Sequence, residues 1–164
     1  MAFGKNYQSL ILIVVGVAAL GFLLHSVVRN SAFAGFFAPA SGAKQVFFGQ
    51  VAVDVEIAST PSAREKGLSG RQSLPAGHGL LFIFDNDGNW GIWMKGMNFS
   101  IDIIWADSSG RVVTVLSDVS PETYPKVFHS SLPSRYVLEV PAGFTRTNNI
   151  YEGALMTFGT STPR

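Results

Sequence analysis

A nearly continuous apolar run close to the amino terminus constrains this chain more than any other feature. The run extends from Leu10 to Val28 and contains no charged residue. A helix of about 19 residues is about 28 Å long, which is close to the roughly 30 Å hydrocarbon core of a bilayer. The run therefore predicts a single membrane span from Leu10 to Val28, with the rest of the chain on one side of the membrane.

A cleaved secretory signal is the alternative that the same run allows. The segments 32–34 (Ala-Phe-Ala) and 38–40 (Ala-Pro-Ala) both fit the small-x-small cleavage pattern. The length of the run and the charge at Arg29 favour a retained anchor. A buried helix of a globular core is a third alternative, but the run has no polar face. Anchor and signal both place the remainder outside the cytoplasm, with Lys5 inside.

The charges divide the chain into three parts. Residues 1–30 form the anchor or signal segment, residues 31–43 a linker rich in Ala, Gly, Ser and Phe, and residues 44–164 one domain. That domain contains 10 basic and 11 acidic residues, a net charge of −1 by subtraction. This balance argues against a nucleic-acid-binding surface. The chain has no cysteine, so the domain depends on its core rather than on disulfides.

Within the domain, apolar and polar residues alternate over Val51–Ile57, which predicts a half-buried strand. Thr60 followed by Pro61 predicts the start of a short helix that ends near Leu68. Asp107–Gly110 predicts a hairpin turn, and residues 144–149 predict one further helical turn. The other predicted strands are Leu80–Phe84, Trp90–Lys95, Ile101–Ala106, Val112–Val119, Tyr136–Val140 and Ala154–Phe158.

These elements predict an α+β fold that is mainly β. About seven short strands and one or two short helices favour a compact, barrel-like antiparallel sheet whose edges are covered. Strands and helices do not alternate as they do in a parallel sheet with a nucleotide crevice.

Short motifs for known chemistries are weak in this sequence. The three histidines lack the spacing of zinc ligands, so we expect no metal and no cofactor. Asp85–Asn89 has part of the composition of a calcium loop, but it lacks the distal bidentate glutamate and is better interpreted as a turn. Gly67–Gly70 departs from the nucleophile elbow because its second glycine comes one residue early.

Polar and aromatic residues instead mark one candidate pocket. Alternation sends Trp93 and Lys95 to one face of their strand, and Asp102 lies between apolar neighbours in the next strand. A buried carboxylate needs a cation or amide donors. One interpretation is a structural ion pair that fixes the register of the sheet; the other is a ligand pocket with an aromatic wall and an anion-holding cation. The candidate residues are Arg64, Arg71, Trp93, Lys95, Asp102 and Arg135.

Several motifs together resemble a known prokaryotic family. They are Arg64-x-x-Gly-Leu-Ser-Gly-Arg71, Leu74-Pro-x-Gly-x-Gly-Leu-Leu-Phe-x-Phe84, Trp93-Met-Lys95 with Asp102-Ile103, and Arg135-Tyr-Val-Leu-Glu139-x-x-x-Gly143. In order and spacing, over residues 46–158, they resemble the domain of unknown function 192. The resemblance implies one β-rich domain with two short helices, commonly behind a signal peptide or membrane anchor, and it transfers no catalytic residue. The chain departs from the common Lys-Asn-Thr pattern at Lys95-Gly-Met97.

The expectation is therefore an extracytoplasmic, membrane-anchored domain that binds a small polar or carbohydrate-like ligand. One alternative is an enzyme acting on an envelope substrate, with Asp102 as acid or base and Lys95 or Arg71 as its electrostatic partner. Another is a module that binds a protein partner. The anchor supplies the membrane contact, and the sequence does not identify the protein partner or the ligand.

Overall fold

A seven-stranded sheet organises residues 45–159, the part of the chain that the computed structural model describes. Its strands are β1 (Gln45–Phe48), β2 (Val51–Ala58), β3 (His78–Gly88), β5 (Ile101–Ala106), β6 (Val112–Val119), β8 (Ser134–Pro141) and β9 (Met156–Gly159), and two-residue strands β4 (Ile92–Trp93) and β7 (Val127–Phe128) pair separately. The helices are α1 (Pro61–Lys66), a 3-10 turn (Pro121–Thr123) and α2 (Phe144–Thr147). The mainly β, α+β prediction is confirmed.

The strand order in the sheet is β6-β5-β8-β3-β2-β1-β9. Neighbours run antiparallel except β2 and β3, which are parallel and are joined through α1. A parallel pair needs such a crossover connection because the chain must return to the same end of the sheet. The prediction of an antiparallel sheet therefore holds for every neighbouring pair but this one.

Backbone hydrogen bonds connect the two ends of this strand order. The amide of Met156 donates to the carbonyl of Gly110 at 2.8 Å, and the amide of Val112 donates to the carbonyl of Ala154 at 2.9 Å. The sheet is thus curled into a half-barrel, and part of each edge is paired instead of exposed.

Two apolar clusters lie on opposite faces of the sheet. The first contains Leu80, Phe82, Ile103 and Val137 and is covered by Leu68 from the loop after α1. The second contains residues of the alternate positions in the same strands, among them Leu81, Ile104 and Leu138. All six residues of β5 are buried, because both faces of that strand are covered.

Helix α1 begins and ends as its sequence predicts. The Thr60 hydroxyl accepts a hydrogen bond from the Ala63 amide at 3.2 Å, and Pro61 occupies the first turn. Gly67, at φ 50°, ends the helix and donates to the Ala63 carbonyl at 3.0 Å.

Two strands were not predicted from the sequence, namely β1 and β7, and the Trp90–Lys95 strand is shortened to Ile92–Trp93. The turn predicted at Asp85–Asn89 is wrong for most of its length, because β3 continues to Gly88 through a bulge. Tertiary contacts explain the extension: Asp87 pairs with Arg135 of β8, and the Trp90 ring stacks on Phe84 with centroids 4.1 Å apart.

The Asp107–Gly110 turn is confirmed by the Gly110 amide donating to the Asp107 carbonyl at 3.0 Å.

The predicted membrane span at Leu10–Val28 and the linker at residues 31–43 lie outside the described residues. Within residues 45–159, neither the length nor the apolar character of any helix is sufficient to cross a bilayer.

Candidate functional site

The most unusual side chain of the described region is Glu139, in the middle of β8. Its neighbours across the sheet are Leu80 of β3 and Ile103 of β5, both buried and apolar. Glu139 itself is only 5% exposed, and its Oε2 atom accepts no hydrogen bond from any residue in 45–159. Buried polar atoms in proteins are nearly always satisfied, so this oxygen needs an explanation.

Burial changes the proton affinity of this carboxyl group. Removal from water raises the pKa of Glu139 to about 8, although the nearby Arg71 cation opposes the rise. The group is therefore predominantly protonated at neutral pH. A protonated carboxyl can donate one hydrogen bond and accept others.

Glu139 lines a small cavity between α1, the loop after it, and β4. The cavity volume is about 50 Å³. A single water needs about 10–15 Å³ by the same kind of measure. The cavity therefore has room for a few waters, or for one small polar group of a ligand. Its lining residues are Arg64, Glu65, Lys66, Gly67, Leu68, Ser69, Phe82, Gly91, Ile92, Trp93, Met97 and Glu139.

A wider groove adjoins the cavity and shares part of its lining. The groove has a volume of about 400 Å³, and Glu65, Lys66 and Ser69 line both spaces. The remaining groove residues are Ser62, Lys95 and Gly96. The two spaces are therefore neighbours that share one wall; Glu139 lines the smaller one, and the larger one is open to solvent.

Three hydrogen bonds hold the loop after α1 against the loop after β4. The Ser69 hydroxyl donates to the Lys95 carbonyl at 2.6 Å, and the Gly70 amide donates to the Gly96 carbonyl at 2.8 Å. The Asn98 side-chain amide donates to the Arg71 carbonyl at 2.8 Å. Gly96 has φ +68°, a conformation that glycine adopts without strain. These contacts fix the wall that the cavity and groove share.

An aromatic surface lies at the rim of the cavity. Trp93 is 44% exposed, and the Lys95 ammonium lies 5.2 Å from the centroid of its ring. Tyr124 approaches the same ring edge-on, with centroids 6.3 Å apart. Ile92 and Met94 are buried, so the predicted division of faces around Trp93 and Lys95 is confirmed.

Of the three predicted arginines, only Arg64 lines the cavity. Its Nη1 atom already donates to the Ser59 and Ile83 carbonyls. Arg71 makes a two-pronged ion pair with Glu56, and this pairing lowers the pKa of Glu56. Arg135 pairs with Asp87 at 2.7 Å. Neither Arg71 nor Arg135 is among the residues lining the two spaces.

Asp102 lies on the opposite face of the sheet from Glu139. It is completely buried, and it accepts four hydrogen bonds. Its Oδ1 atom accepts from the amides of Asp118 and Gly143 at 2.7 and 3.0 Å, and its Oδ2 atom accepts from the amide and hydroxyl of Thr145 at 2.8 and 2.7 Å. The expected structural ion pair is wrong: amides and one hydroxyl satisfy Asp102 instead of a cation.

Sequence reasoning named Trp93, Lys95 and Arg64 but gave no role to Glu139 or Lys66. Glu139 stood in the quoted Arg135-Tyr-Val-Leu-Glu139 motif, within an apolar strand where a carboxylate is as unusual as at Asp102. Glu139 and Asp102 thus share the same sequence feature, a carboxylate between apolar neighbours of a strand. Which of the two finds donors depends on loops far apart in the sequence.

Comparison with known proteins agrees with this architecture. The model of the DUF192 family, described as "Uncharacterized ACR", matches residues 44–158. A UPF0127 protein of Thermococcus gammatolerans is 34% identical over 106 residues, covering 63% of this chain and 65% of the relative. A UPF0127 protein of Thermococcus kodakarensis is 31% identical, covering 63% and 64%. The chain thus spans slightly less than two thirds of the curated relatives it matches.

Two solved structures share the fold. A protein of Sinorhizobium meliloti, proposed to be a transcription regulator, superposes with a TM-score of 0.66 at 28% identity, covering 74% of this chain and 98% of its own. A protein of unknown function from Novosphingobium aromaticivorans gives a TM-score of 0.65 at 22% identity, covering 78% and 96%. The order of the motifs, the curled sheet and the match over residues 44–158 lead to one conclusion: the chain belongs to the uncharacterised DUF192 family.

Proposed function

We propose that this protein is a binding module of the cell envelope. In this proposal, residues 10–28 hold it in the membrane and residues 44–164 lie outside the cytoplasm, where they bind a small polar or carbohydrate-like ligand. The ligand places a hydrogen-bonding group in the Glu139 cavity and a ring against Trp93.

The unsatisfied Oε2 atom of Glu139 is the observation that carries the ligand proposal. An unpaired buried oxygen costs about 1–3 kcal/mol, and a ligand hydroxyl or amine would recover that cost on binding. Ligand sites typically combine apolar walls with a few such polar groups. The cavity joins Glu139 to Leu68, Phe82 and Ile92, which gives this composition.

The size of the cavity determines which part of the ligand can enter. A volume of about 50 Å³ admits a hydroxyl, amine or hydroxymethyl group but not a whole sugar ring. The ring would lie outside, where Trp93 is exposed at the rim. Flat aromatic side chains offer apolar contact area with little loss of side-chain entropy on binding.

The geometry gives less support to the enzyme alternative that uses Asp102. All four of its hydrogen-bonding contacts come from Asp118, Gly143 and Thr145, and its side chain is fully buried. Lys95 lines the groove, whereas Asp102 shares the opposite face with Ile104. Likewise, the net charge of −1 over residues 44–164 does not favour the transcription-regulator role described for the Sinorhizobium protein.

Titration calorimetry on the full-length chain in detergent micelles tests the ligand proposal. Neutral monosaccharides and polyols are the probes. We expect Glu139→Leu and Trp93→Ala each to weaken binding at least several-fold, because the first removes the hydrogen-bonding group of the cavity and the second removes the aromatic surface at its rim. Tyr151→Ala is the matched control, since Tyr151 is exposed but outside the lining. Equal affinity of Glu139→Leu, Trp93→Ala and wild type would exclude this site.

A separate experiment tests the location. Added protease should digest residues 44–164 in intact spheroplasts and leave a cytoplasmic marker protein uncut. The intact mass of the membrane-extracted protein distinguishes a retained anchor from cleavage after residue 34 or 40. Protection of the domain until the cells are lysed would contradict the extracytoplasmic assignment.

A further inference from the structure

The groove next to the cavity carries an excess of positive charge. Lys66, at the end of α1, and Lys95, in the loop after β4, line it together with one acidic residue, Glu65. The formal charge of the groove lining is thus +1 by subtraction. In residues 45–159 the ion pairs are Arg71 with Glu56 and Arg135 with Asp87, so neither lysine is neutralised within that range.

The same region has a polar group that needs a partner at its closed end. The Oε2 atom of Glu139 has none within the described residues, and the cavity that Glu139 lines shares Glu65, Lys66 and Ser69 with the groove. A ligand that fills both spaces therefore meets the Glu139 carboxyl group in the cavity, Lys66 at the shared wall and Lys95 in the groove.

We propose that the ligand is an acidic sugar-like molecule, whose hydroxyl or amine reaches Glu139 and whose anionic group lies in the groove between Lys66 and Lys95. This inference rests on the proposed function, because it concerns the same site. In this inference two lysines hold the anionic group, and the arginines among the candidate residues have other partners. The structure commits Nη1 of Arg64 to carbonyls and pairs Arg71 and Arg135 with carboxylates.

Lysine suits this role because an ammonium group acts as a mobile point charge with three donors. The groove is open to solvent, so each lysine contributes what an exposed ion pair contributes, which is about two- to five-fold in affinity. Screening by salt reduces that contribution. The contact between Glu139 and a hydroxyl or amine is enclosed and should depend much less on salt.

The test compares ligands that differ in one group. D-glucuronic acid and D-glucose have the same ring, and only the acid carries a carboxylate. D-glucose 6-phosphate is a second acidic ligand, in which a phosphate takes the place of the carboxylate. On the full-length protein, calorimetry at low salt should give tighter binding of both acids than of glucose. Raising the salt to about 0.5 M should reduce the difference, because the Debye length falls to about 4 Å and salt screens the exposed lysines.

Lysine variants test whether Lys66 and Lys95 cause the preference for acidic ligands. Lys66→Gln and Lys95→Gln should each weaken binding of the acids about two- to five-fold more than they weaken binding of glucose. Lys126→Gln is the matched control: its ammonium also lies over an aromatic ring, 4.7 Å from the Phe128 centroid, but Lys126 does not line the groove. Among residues 45–159 the cation over the Trp93 ring is Lys95 and not Lys66, so Lys66→Gln removes a charge without removing that cation–π contact.

The outcomes separate this inference from the proposed function. Equal affinity for glucose and glucuronic acid, with no effect of either lysine variant, would overturn the anionic class and leave the binding module intact. Failure of glucose and both acids to bind would overturn both.

Discussion

The amide and the hydroxyl of Thr145 donate to the same carboxylate oxygen of Asp102, at 2.8 and 2.7 Å. Thr145 lies in α2 and Asp102 in β5, so this pair of hydrogen bonds attaches the last helix to the sheet. The Thr145 hydroxyl is also 2.7 Å from the Ser117 hydroxyl of β6. One buried carboxylate thereby organises three elements that are distant in sequence.

Substitution of this carboxylate should destabilise the domain without a direct effect on the ligand site. Asp102→Asn keeps the size but replaces one oxygen, which accepts two hydrogen bonds, by an amide that cannot accept. We expect the free energy of unfolding in urea to fall by about 3 kcal/mol or more, since hydrogen bonds to charged groups contribute about 1.5–3 kcal/mol each.

Thr145→Val tests the hydroxyl alone, with an expected loss of about 1–2 kcal/mol. Thr147→Val is its control in the same helix, because the Thr147 hydroxyl is exposed and donates to the Gly143 carbonyl. A larger loss in the control than in Thr145→Val would contradict the importance given to Asp102.

The pH dependence of stability should report the protonation of Glu139. Its pKa of about 8 in the folded protein lies above the ordinary value of 4.5, so the folded state retains a proton that the unfolded state releases. The free energy of unfolding therefore falls as the pH rises from about 4.5 to about 8 and is constant above that range. The size of this contribution is on the order of a few kcal/mol.

Glu139→Gln should remove that contribution. The difference between wild type and variant in urea unfolding, measured at several pH values, isolates the one carboxyl from all other titrating groups. Glu152→Gln, at an exposed position, is the control and should leave the slope unchanged. A constant difference between wild type and Glu139→Gln from pH 4.5 to 8 would show that Glu139 titrates normally.

Removing the Arg71 cation should raise the pKa of Glu139 further. Arg71 is the charge that opposes the effect of burial on this carboxyl. With Arg71→Gln, the decline in stability should continue to a higher pH than in the wild type. Carbon-13 NMR of the Glu139 carboxyl gives the same pKa directly.

Arg135→Gln is the comparison for this variant, since it also breaks an ion pair, with Asp87. Both variants should lose no more than about 1 kcal/mol at neutral pH, as is typical of partly exposed ion pairs. An unchanged pKa of Glu139 in Arg71→Gln would mean that solvent screens the arginine.

A methyl group at position 79 should disturb the sheet next to Glu139. A Cβ atom added to Gly79 would lie 2.9 Å from the Glu139 carbonyl oxygen and 3.1 Å from side-chain atoms of Leu138 and Val53. Backbone atoms cannot move aside as a flexible side chain can. Gly79→Ala should therefore lower the free energy of unfolding by about 1–3 kcal/mol, as overpacking does.

The control for this position is His78→Ala, one residue earlier and exposed. It should change stability by no more than about 0.5 kcal/mol in the same urea titration. Wild-type stability in Gly79→Ala would show that the two strands can separate at little cost.

Much of the fold could be predicted because local patterns and tertiary structure agree. Val51–Ile57 alternates and lies in β2, whose side chains at Asp54 and Glu56 are exposed. The turn at Asp107–Gly110 follows from the Asp107 side chain, which accepts hydrogen bonds from the Ser109 and Arg111 amides. Signals of this kind lie within a few residues and do not depend on the rest of the chain.

The candidate site could be predicted only in part, because its chemistry depends on partners far apart in sequence. Arg135 pairs with Asp87, which lies 48 positions away in the sequence. Arg71, in the loop after α1, pairs with Glu56 of β2. Asp102 and Glu139 are both acidic residues in apolar strands. Within the described residues, only Asp102 accepts hydrogen bonds from backbone amides of a neighbouring turn, those of Gly143 and Thr145. The number and kind of donors near each group is set by loop conformation, which composition and alternation do not specify.

Strand β1 has a mechanical consequence. It pairs with β2 on one side and with β9 on the other, through four residue pairs each, and it is where the chain enters the described domain. A pulling force transmitted along the chain from residues before Gln45 would act along β1 and load both neighbouring ladders in shear at once. Within residues 45–159, the last strand thus helps to hold the first in place, so resistance to such a load would depend on residues at both ends of the described domain.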